Sequence, residues 1–175
     1  MKVDIFIEQI VERRPDAQVY FFRALLLVVA VALIALLFTV AIMFLGLVFI
    51  SFTAIAAIPG VAWLSNHFLK ELTVEYEYIL TNKELDIDKI TGRRKRRRMF
   101  TLDLSNAEKL DLYADDTVVE AGVTISAHDN SYVNMWYLVV KHDSHGKVVL
   151  MFNPNKVFVD KLNGMLPKRA QCLYK

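Results

Sequence analysis

Residues 24–64 read ALLLVVAVALIALLFTVAIMFLGLVFISFTAIAAIPGVAWL, 41 consecutive positions without an Asp, Glu, Lys, Arg or His. As one helix at about 1.5 Å per residue the run would measure about 60 Å. The hydrocarbon core of a bilayer is about 30 Å thick and needs about 20 helical residues. The run therefore predicts two spans, placed at 19–39 and 42–64, joined by a short turn for which Thr39 and Gly46 are the only local marks. Pro59 and Gly60 fall inside the second span, where they weaken the helix but are tolerated if the freed carbonyl finds a donor. A cleaved signal sequence has an apolar region of about 7 to 15 residues, much shorter than this run.

Outward from this run the chain becomes charged. Residues 65–175 carry 17 basic and 15 acidic side chains, so the mean hydropathy of +0.33 averages a membrane segment with an ordinary soluble domain. With 175 residues there is no room for a large multidomain enzyme. Arg13, Arg14 and Arg23 precede or open the first span, and Lys70 and the run Arg93 to Arg98 follow the second. Lys and Arg mark the cytoplasmic flanks of membrane spans, so both termini are expected in the cytoplasm. The single cysteine, Cys172, is expected to be a free thiol, which agrees with that compartment. Residues 1–16 place Val3, Phe6, Ile7, Ile10 and Val11 at helical spacing, opposite Asp4, Glu8, Glu12 and Arg13. This pattern predicts an amphipathic helix, lying on the leaflet or docked on the soluble domain.

From Thr73 the apolar period becomes two. Val74, Tyr76, Tyr78 and Leu80 alternate with Thr73, Glu75 and Glu77, the pattern of a half-buried strand. Thr81 and Asn82 are read as a turn, Leu85 and Ile87 as a second strand, Thr91 and Gly92 as another turn, and Phe100, Leu102 and Leu104 as a third strand. Leu110 and Leu112 mark a fourth. Residues 114–130 read as a long loop with one short strand at 118–124. Residues 133–140 are apolar on both faces and predict a central strand, with a hairpin turn at 142–146 and a return strand at 147–152. Asn153 and Pro154 are read as a helix start, and Phe158, Leu162, Met165 and Leu166 as the apolar face of a helix ending at Pro167. The expected domain, residues 73–168 followed by a tail at 169–175, is a strongly bent antiparallel sheet of six or seven strands closed by one C-terminal helix.

The segment Tyr78-Ile-Leu-Thr-Asn-Lys-Glu-Leu85, then Gly92 with its basic stretch, then Leu102-Asp-Leu104, resembles the opening hairpins of bacterial pleckstrin-homology-like domains. The whole arrangement is similar to a bacterial family of small two-span membrane proteins carrying such a domain. The resemblance spans about residues 4–168 and implies a fold and a location in the bacterial cell membrane, with no established catalytic residues to carry over. Eukaryotic lipid-binding relatives hold phosphoinositide with basic residues between strands one and two. Here that loop is only Thr81 and Asn82, so no phosphoinositide site transfers. The loop at 114–130 is also longer than the family pattern requires.

The clearest local feature is Arg93-Arg94-Lys95-Arg96-Arg97-Arg98; without these six cations the formal charge would fall from +2 to −4. Such a run attracts phosphate on lipid headgroups or nucleic acid. Its juxtamembrane position favours anionic lipid, a solvated strand edge that discourages pairing is the plainer reading, and nucleic acid is disfavoured because no nucleic-acid motif accompanies it. His142, Asp143 and His145 are clustered metal-ligand types, but they read as turn residues with no further ligands to complete a site. His67 and His128 show no partner in the sequence. Asp86 and Asp88 imitate a catalytic pair, yet Lys83 and Lys89 beside them make surface ion pairs the better reading. No phosphate loop, nucleophile elbow, HExxH or paired CxxC occurs. No catalytic residue, metal or cofactor is therefore expected. The spans carry only Thr39, Ser51 and Thr53 as polar groups, which argues against a transport path.

These observations predict a non-enzymatic integral membrane protein displaying a cytoplasmic domain that binds anionic lipid headgroups, a protein partner or a second copy of itself. The alternative is an accessory subunit of a larger transport or secretion complex, bound through its two spans.

Overall fold

The computed structural model describes residues 6–114 and 122–172. It resolves into two compact units, Pro15–Thr73 and a second built from Met1–Arg14 with Val74–Lys175.

The first unit is a pair of apolar helices, α1 (Ala17–Met43) and α2 (Val48–Glu71), each long and apolar enough to cross a membrane. Asp16 caps α1 by accepting from the Val19 N–H at 3.0 Å. The helices are longer than the spans read from the sequence, and the turn lies at 44–47 rather than at 40–41. Gly46 marks this turn, whereas Thr39 stays in the helix and donates to the Ala35 carbonyl at 2.8 Å. Ser51 helps to hold the turn there: its hydroxyl lies within hydrogen-bond distance of the Ala41 and Phe44 carbonyls, at 3.0 and 2.7 Å, and the second also accepts from the Leu47 N–H at 2.8 Å. The buried residues of the pair are Ala30, Ala41 and Ala54, small side chains that let two backbones approach.

The second unit contains two four-stranded sheets and a C-terminal helix. Its first strand corrects the reading of residues 1–16. Phe6–Glu12 is not a helix but a strand, β1, antiparallel to β2 (Val74–Thr81). The apolar residues of this short segment fit a helix better than a strand, which leaves Phe6 and Ile10 exposed on the outer face, and pairing with the open edge of β2 overrides the pattern. Ile7 and Val11 pack on the core opposite Leu80 and Tyr76. Gln9, on the same face, donates to the Asn153 carbonyl at 3.1 Å and accepts from the Asn155 N–H at 2.9 Å.

The first sheet continues through β3 (Glu84–Thr91) and β4 (Lys95–Asp103) in the order β1-β2-β3-β4. The β2–β3 turn is Asn82-Lys83, one residue later than expected, with Asn82 left-handed at φ 51°. The second sheet has the order β5-β7-β8-β6, from β5 (Ala107–Leu112), β6 (Val123–Ala127), β7 (Trp136–His142) and β8 (Gly146–Phe152). β6 runs parallel to β8, so the sheet is not purely antiparallel. The short strand expected at 118–124 is found in part as β6; residues 118–121 lie outside the described residues. β7 is an inner strand, with Trp136, Leu138 and Val140 in the main core and Tyr137 and Val139 in a smaller cluster with Val149. It starts at Trp136, so Val133 belongs to the preceding loop.

The C-terminal helix, α3 (Lys156–Met165), is capped by Asn155, which accepts from the Phe158 N–H at 2.8 Å. Asn153 does not cap it; its side chain accepts from the Asp129 N–H and donates to the Val133 carbonyl, both at 2.9 Å. Phe158, Val159, Leu162 and Leu166 are buried in the core with Tyr78, Leu80, Ile87 and Phe152. The expected tail is part of the domain as far as it is described: Ala170 is buried and its carbonyl accepts from the Leu110 N–H at 3.0 Å. The single bent sheet of six or seven strands is thus replaced by eight described strands in two sheets, because the segment before the first helix supplies an edge strand.

Candidate functional site

The basic run occupies the β3–β4 turn and the first half of β4. Gly92 and Arg93 are left-handed at φ 62° and 57°, and the Arg94 N–H donates back to the Thr91 carbonyl, as in a tight hairpin turn. β4 then pairs Lys95 with Thr91, Arg96 with Ile90, Arg97 with Lys89 and Arg98 with Asp88. A bulge at Met99 separates Arg98 from Phe100, so Phe100 and Leu102 face the core while Arg96 and Arg98 lie on the outer face.

On that outer face the arginines meet carboxylates. Arg93 reaches Glu75 at 2.9 Å and Glu12 at 3.6 Å. Arg96 donates to Glu77, and Arg98 donates to Asp88 and reaches Asp86 at 2.7 Å. Thr101 donates to Asp86 at 2.6 Å and holds that carboxylate against Arg98. Asp86 and Asp88 are therefore ion-paired, as the sequence suggested, but with the arginine of the next strand rather than with Lys83 or Lys89. The Asp88 hydrogen bond and the nearby Asp86 charge hold the Arg98 guanidinium proton more tightly than usual.

Glu77 is the unusual member. It is fully buried; one carboxyl oxygen accepts from Arg96, and the other, Oε2, meets no donor. The group facing it is the carboxyl of Glu8, diagonally placed on β1. Two carboxyls hydrogen-bond only if one keeps its proton. Burial, together with that hydrogen bond, pushes the Glu77 carboxyl up to about 7, although Arg96 pulls the other way. The sequence signal for this layer was Glu75 and Glu77 alternating with Tyr76 and Tyr78, two strands away from a basic run.

The register also fixes which end of the sheet carries the turn. Val74 pairs with Thr91 and Thr91 with Lys95, while Glu12 pairs with Glu75 and the Arg13 N–H donates to the Val74 carbonyl at 2.9 Å. The basic turn, the end of β1 and the start of β2 therefore lie side by side. The loop between β6 and β7 joins them: the Arg14 N–H donates to the Asp129 carbonyl at 2.9 Å, and Arg14 Nε lies 3.6 Å from Asp129 Oδ2. In that loop the Asn130 N–H donates to His128 Nδ1 at 3.1 Å, and burial, with the Arg13 charge, pushes the His128 imidazole below its usual range.

The remaining candidates are more ordinary. His142 and His145 sit at the β7–β8 turn with Nδ1 atoms 3.3 Å apart, sharing Ser144 and edging onto Phe100. Among the described residues no group of three or more His, Cys, Asp or Glu is placed to hold a metal. His67 stacks on Trp63 within α2. Cys172 is in no disulfide; it is half-buried, its thiol lies 3.7 Å from Asp111 Oδ1, and its backbone is held by the Asn163 side chain through two hydrogen bonds of 2.9 Å.

Two helices long and apolar enough to cross a membrane, joined to a two-sheet domain with a C-terminal helix, fit a membrane protein carrying a pleckstrin-homology-like domain. The chain belongs to the bacterial PH-like domain family (DUF6106), which matches it over residues 3–171. That match includes β1 and both apolar helices, so within the matched region the helical pair lies between two strands that pair with each other. No curated protein and no solved structure matches the chain.

Proposed function

We propose that this is a non-enzymatic integral membrane protein. Its helical hairpin anchors the PH-like domain at the cytoplasmic face of the bacterial cell membrane, and the basic turn contacts anionic lipid headgroups. The observation that carries this reading is the pairing of β1 with β2. These strands flank the two apolar helices in sequence and are hydrogen-bonded to each other from Phe6–Thr81 to Glu12–Glu75. Strands paired in one sheet are on one side of any bilayer, which supports two spans and an even topology. The basic flanks support the cytoplasmic side.

Two residues, Pro15 and Asp16, lie between Arg14 and Ala17, a reach of at most about 11 Å, and two, Leu72 and Thr73, lie between Glu71 and Val74. Arg13 and Arg14 thus directly precede the first apolar helix in the chain, and the strand register sets Arg93, Arg94 and Lys95 at the same end of the sheet as these two, as one basic rim. At about 1 kcal/mol per basic residue near an anionic surface, such a rim contributes several kcal/mol to docking. Within the run Arg93, Arg96 and Arg98 also pair with carboxylates of their own sheet, and the lipid-facing role is assigned to the exposed turn and the start of β4, Arg93, Arg94, Lys95 and Arg97. The hydroxyls of both helices, on Thr39, Ser51, Thr53 and Ser65, bond to the pair's own backbone, which supports an anchor rather than a transport path.

The test uses the intact chain, because a fragment beginning at Thr73 loses β1 and opens the edge of β2. In nanodiscs containing phosphatidylglycerol, amide exchange at residues 92–97 is expected to be slower than in phosphatidylcholine discs. The difference should disappear at high salt and in the Arg94→Gln, Lys95→Gln, Arg97→Gln variant. Equal exchange in the two discs at low salt overturns the lipid contact.

A further inference from the structure

We propose that the loop between β6 and β7 is an interfacial anchor, with the Tyr132 ring and the Val133 side chain entering the headgroup layer of the leaflet that the basic rim faces. This rests on the preceding reading, that the Arg13, Arg14 and Arg93 to Lys95 rim is membrane-proximal. Three residues of the loop have left-handed backbones: Asn130 at φ 67°, Tyr132 at 55° and Asn134 at 51°. Asparagine tolerates this region, but a bulky aromatic residue there is an outlier costing about 1–3 kcal/mol. Burial does not offset that cost, because Tyr132 is 62% exposed and Val133 64% exposed.

The backbone beneath them is nevertheless firmly held. Asp129 Oδ1 accepts from the Ser131 N–H at 2.9 Å and the Ser131 hydroxyl at 2.6 Å. Val133 is fixed at both polar groups, its N–H by Ser131 Oγ at 3.3 Å and its carbonyl by Asn153 Nδ2 at 2.9 Å. The Tyr132 ring lies 5.1 Å from that of His128, whose Nδ1 is occupied by the Asn130 N–H. A rigid, strained loop that holds an aromatic and a β-branched side chain outward is built for an external partner.

The occupant follows from position and chemistry. Asp129 and Asn130 bond to Arg14, the last residue of the domain before the chain enters the first apolar helix. Tyrosine favours the membrane–water interface, where its ring is apolar and its hydroxyl wet. Arg13, Arg14 and the β3–β4 turn supply the charge complementary to an anionic leaflet. A neighbouring apolar pair then adds insertion to electrostatic attraction, the two signals that stable peripheral contact requires.

Site-directed spin labelling tests this in the intact chain, in a Cys172→Ser background, reconstituted in phosphatidylglycerol-containing nanodiscs. Single labels are placed at Val133, at Arg94 and, as a distal reference, at Lys83, in the turn at the other end of the eight-residue β2 and about 23 Å from Val74. The label at 133 is expected to be more accessible to oxygen than to the nickel relaxant, the signature of depth below the phosphates. The label at 83 should show the reverse and the label at 94 an intermediate value. A label at 133 that matches the one at 83, or that is shielded from both reagents by protein, overturns the inference. If 94 also matches 83, the membrane-proximal rim falls with it; if 133 alone does, only the insertion fails.

Discussion

The two faces of the first sheet are dried by different chemistry. On the inner face Tyr76, Tyr78, Leu80, Leu85, Ile87 and Leu102 are at most 5% exposed and pack against the second sheet and α3. On the outer face Glu77 and Asp88 are equally dry, at 0% and 3%, yet they are covered by Arg96 and Arg98, themselves about half exposed. Apolar burial is non-directional and tolerant of exchange, whereas buried carboxylates require a partner of fixed geometry. A run of six cations, read alone as one surface patch, is therefore divided, with part of it acting as structural counter-charge.

The inner face should be the more costly to break. Tyr78 is fully buried, packs edge-on against Phe152 and Phe158 at 5.6 and 6.0 Å, and donates its hydroxyl to the Ala127 carbonyl while accepting from the Asn153 N–H at 3.3 Å. It thus joins β2 to the end of β6 and to the approach to α3, and burial pushes its phenol well above the usual range. Tyr78→Ala should lower stability by about 3–5 kcal/mol through cavity formation and lost hydrogen bonds. Thermal unfolding of the detergent-solubilised chain measures it; a loss under about 1 kcal/mol would mean that the inner face does not carry the fold.

The outer face should yield less, and unevenly along β4. Arg98→Gln leaves Asp88, 4% exposed at its side chain, with Arg96 at 3.9 Å as its remaining ion partner among the described residues. Because Arg98 is half solvated, the cost should be about 1–3 kcal/mol, below that of a fully buried pair. Arg97→Gln, one position away on the opposite strand face, should shift stability by no more than about 0.5 kcal/mol. Equal effects at 97 and 98 would erase the distinction between Arg98, paired with Asp88, and its exposed neighbour.

The difference between the faces also explains what the sequence disclosed. The helical pair was legible from composition alone, because one uncharged run admits few other structures. The inner face was legible as a period of two at Tyr76, Tyr78 and Leu80, and so was the apolarity of β7 on both faces. Residues 6–12 were not, since their apolar spacing suits a helix better than a strand and only the free edge of β2, 62 residues beyond Glu12 at Val74, overrides it. Nor was the pairing of Arg96 with Glu77 or of Glu77 with Glu8, which depends on a register shared by strands far apart in the chain. The Tyr132 loop left no periodic signal, because its significance lies in backbone dihedrals that composition does not record.

The subtlest test concerns the proton between Glu77 of β2 and Glu8 of β1. The Glu77 carboxyl rises from an ordinary value near 4.5 to about 7 in the folded chain, because of burial and the hydrogen bond with Glu8. A group whose folded pKa exceeds its unfolded one contributes stability that is fully present below the unfolded value and is lost as pH rises through the folded value. Stability of the wild-type chain should therefore decline between about pH 5 and pH 8 as Glu77 loses its proton beside Glu8 and Asp88. Glu77→Gln keeps an acceptor for Arg96 and supplies a permanent donor toward Glu8, so its profile should be flatter. With Arg96 and Glu8 partly solvated, the gain at pH 8 should be about 1–2 kcal/mol, less than the full shift would give at 1.36 kcal/mol per unit. Chemical denaturation across this pH range decides it. If wild-type stability instead rises with pH, Glu77 is ionised, and the outer face rests on its arginines alone.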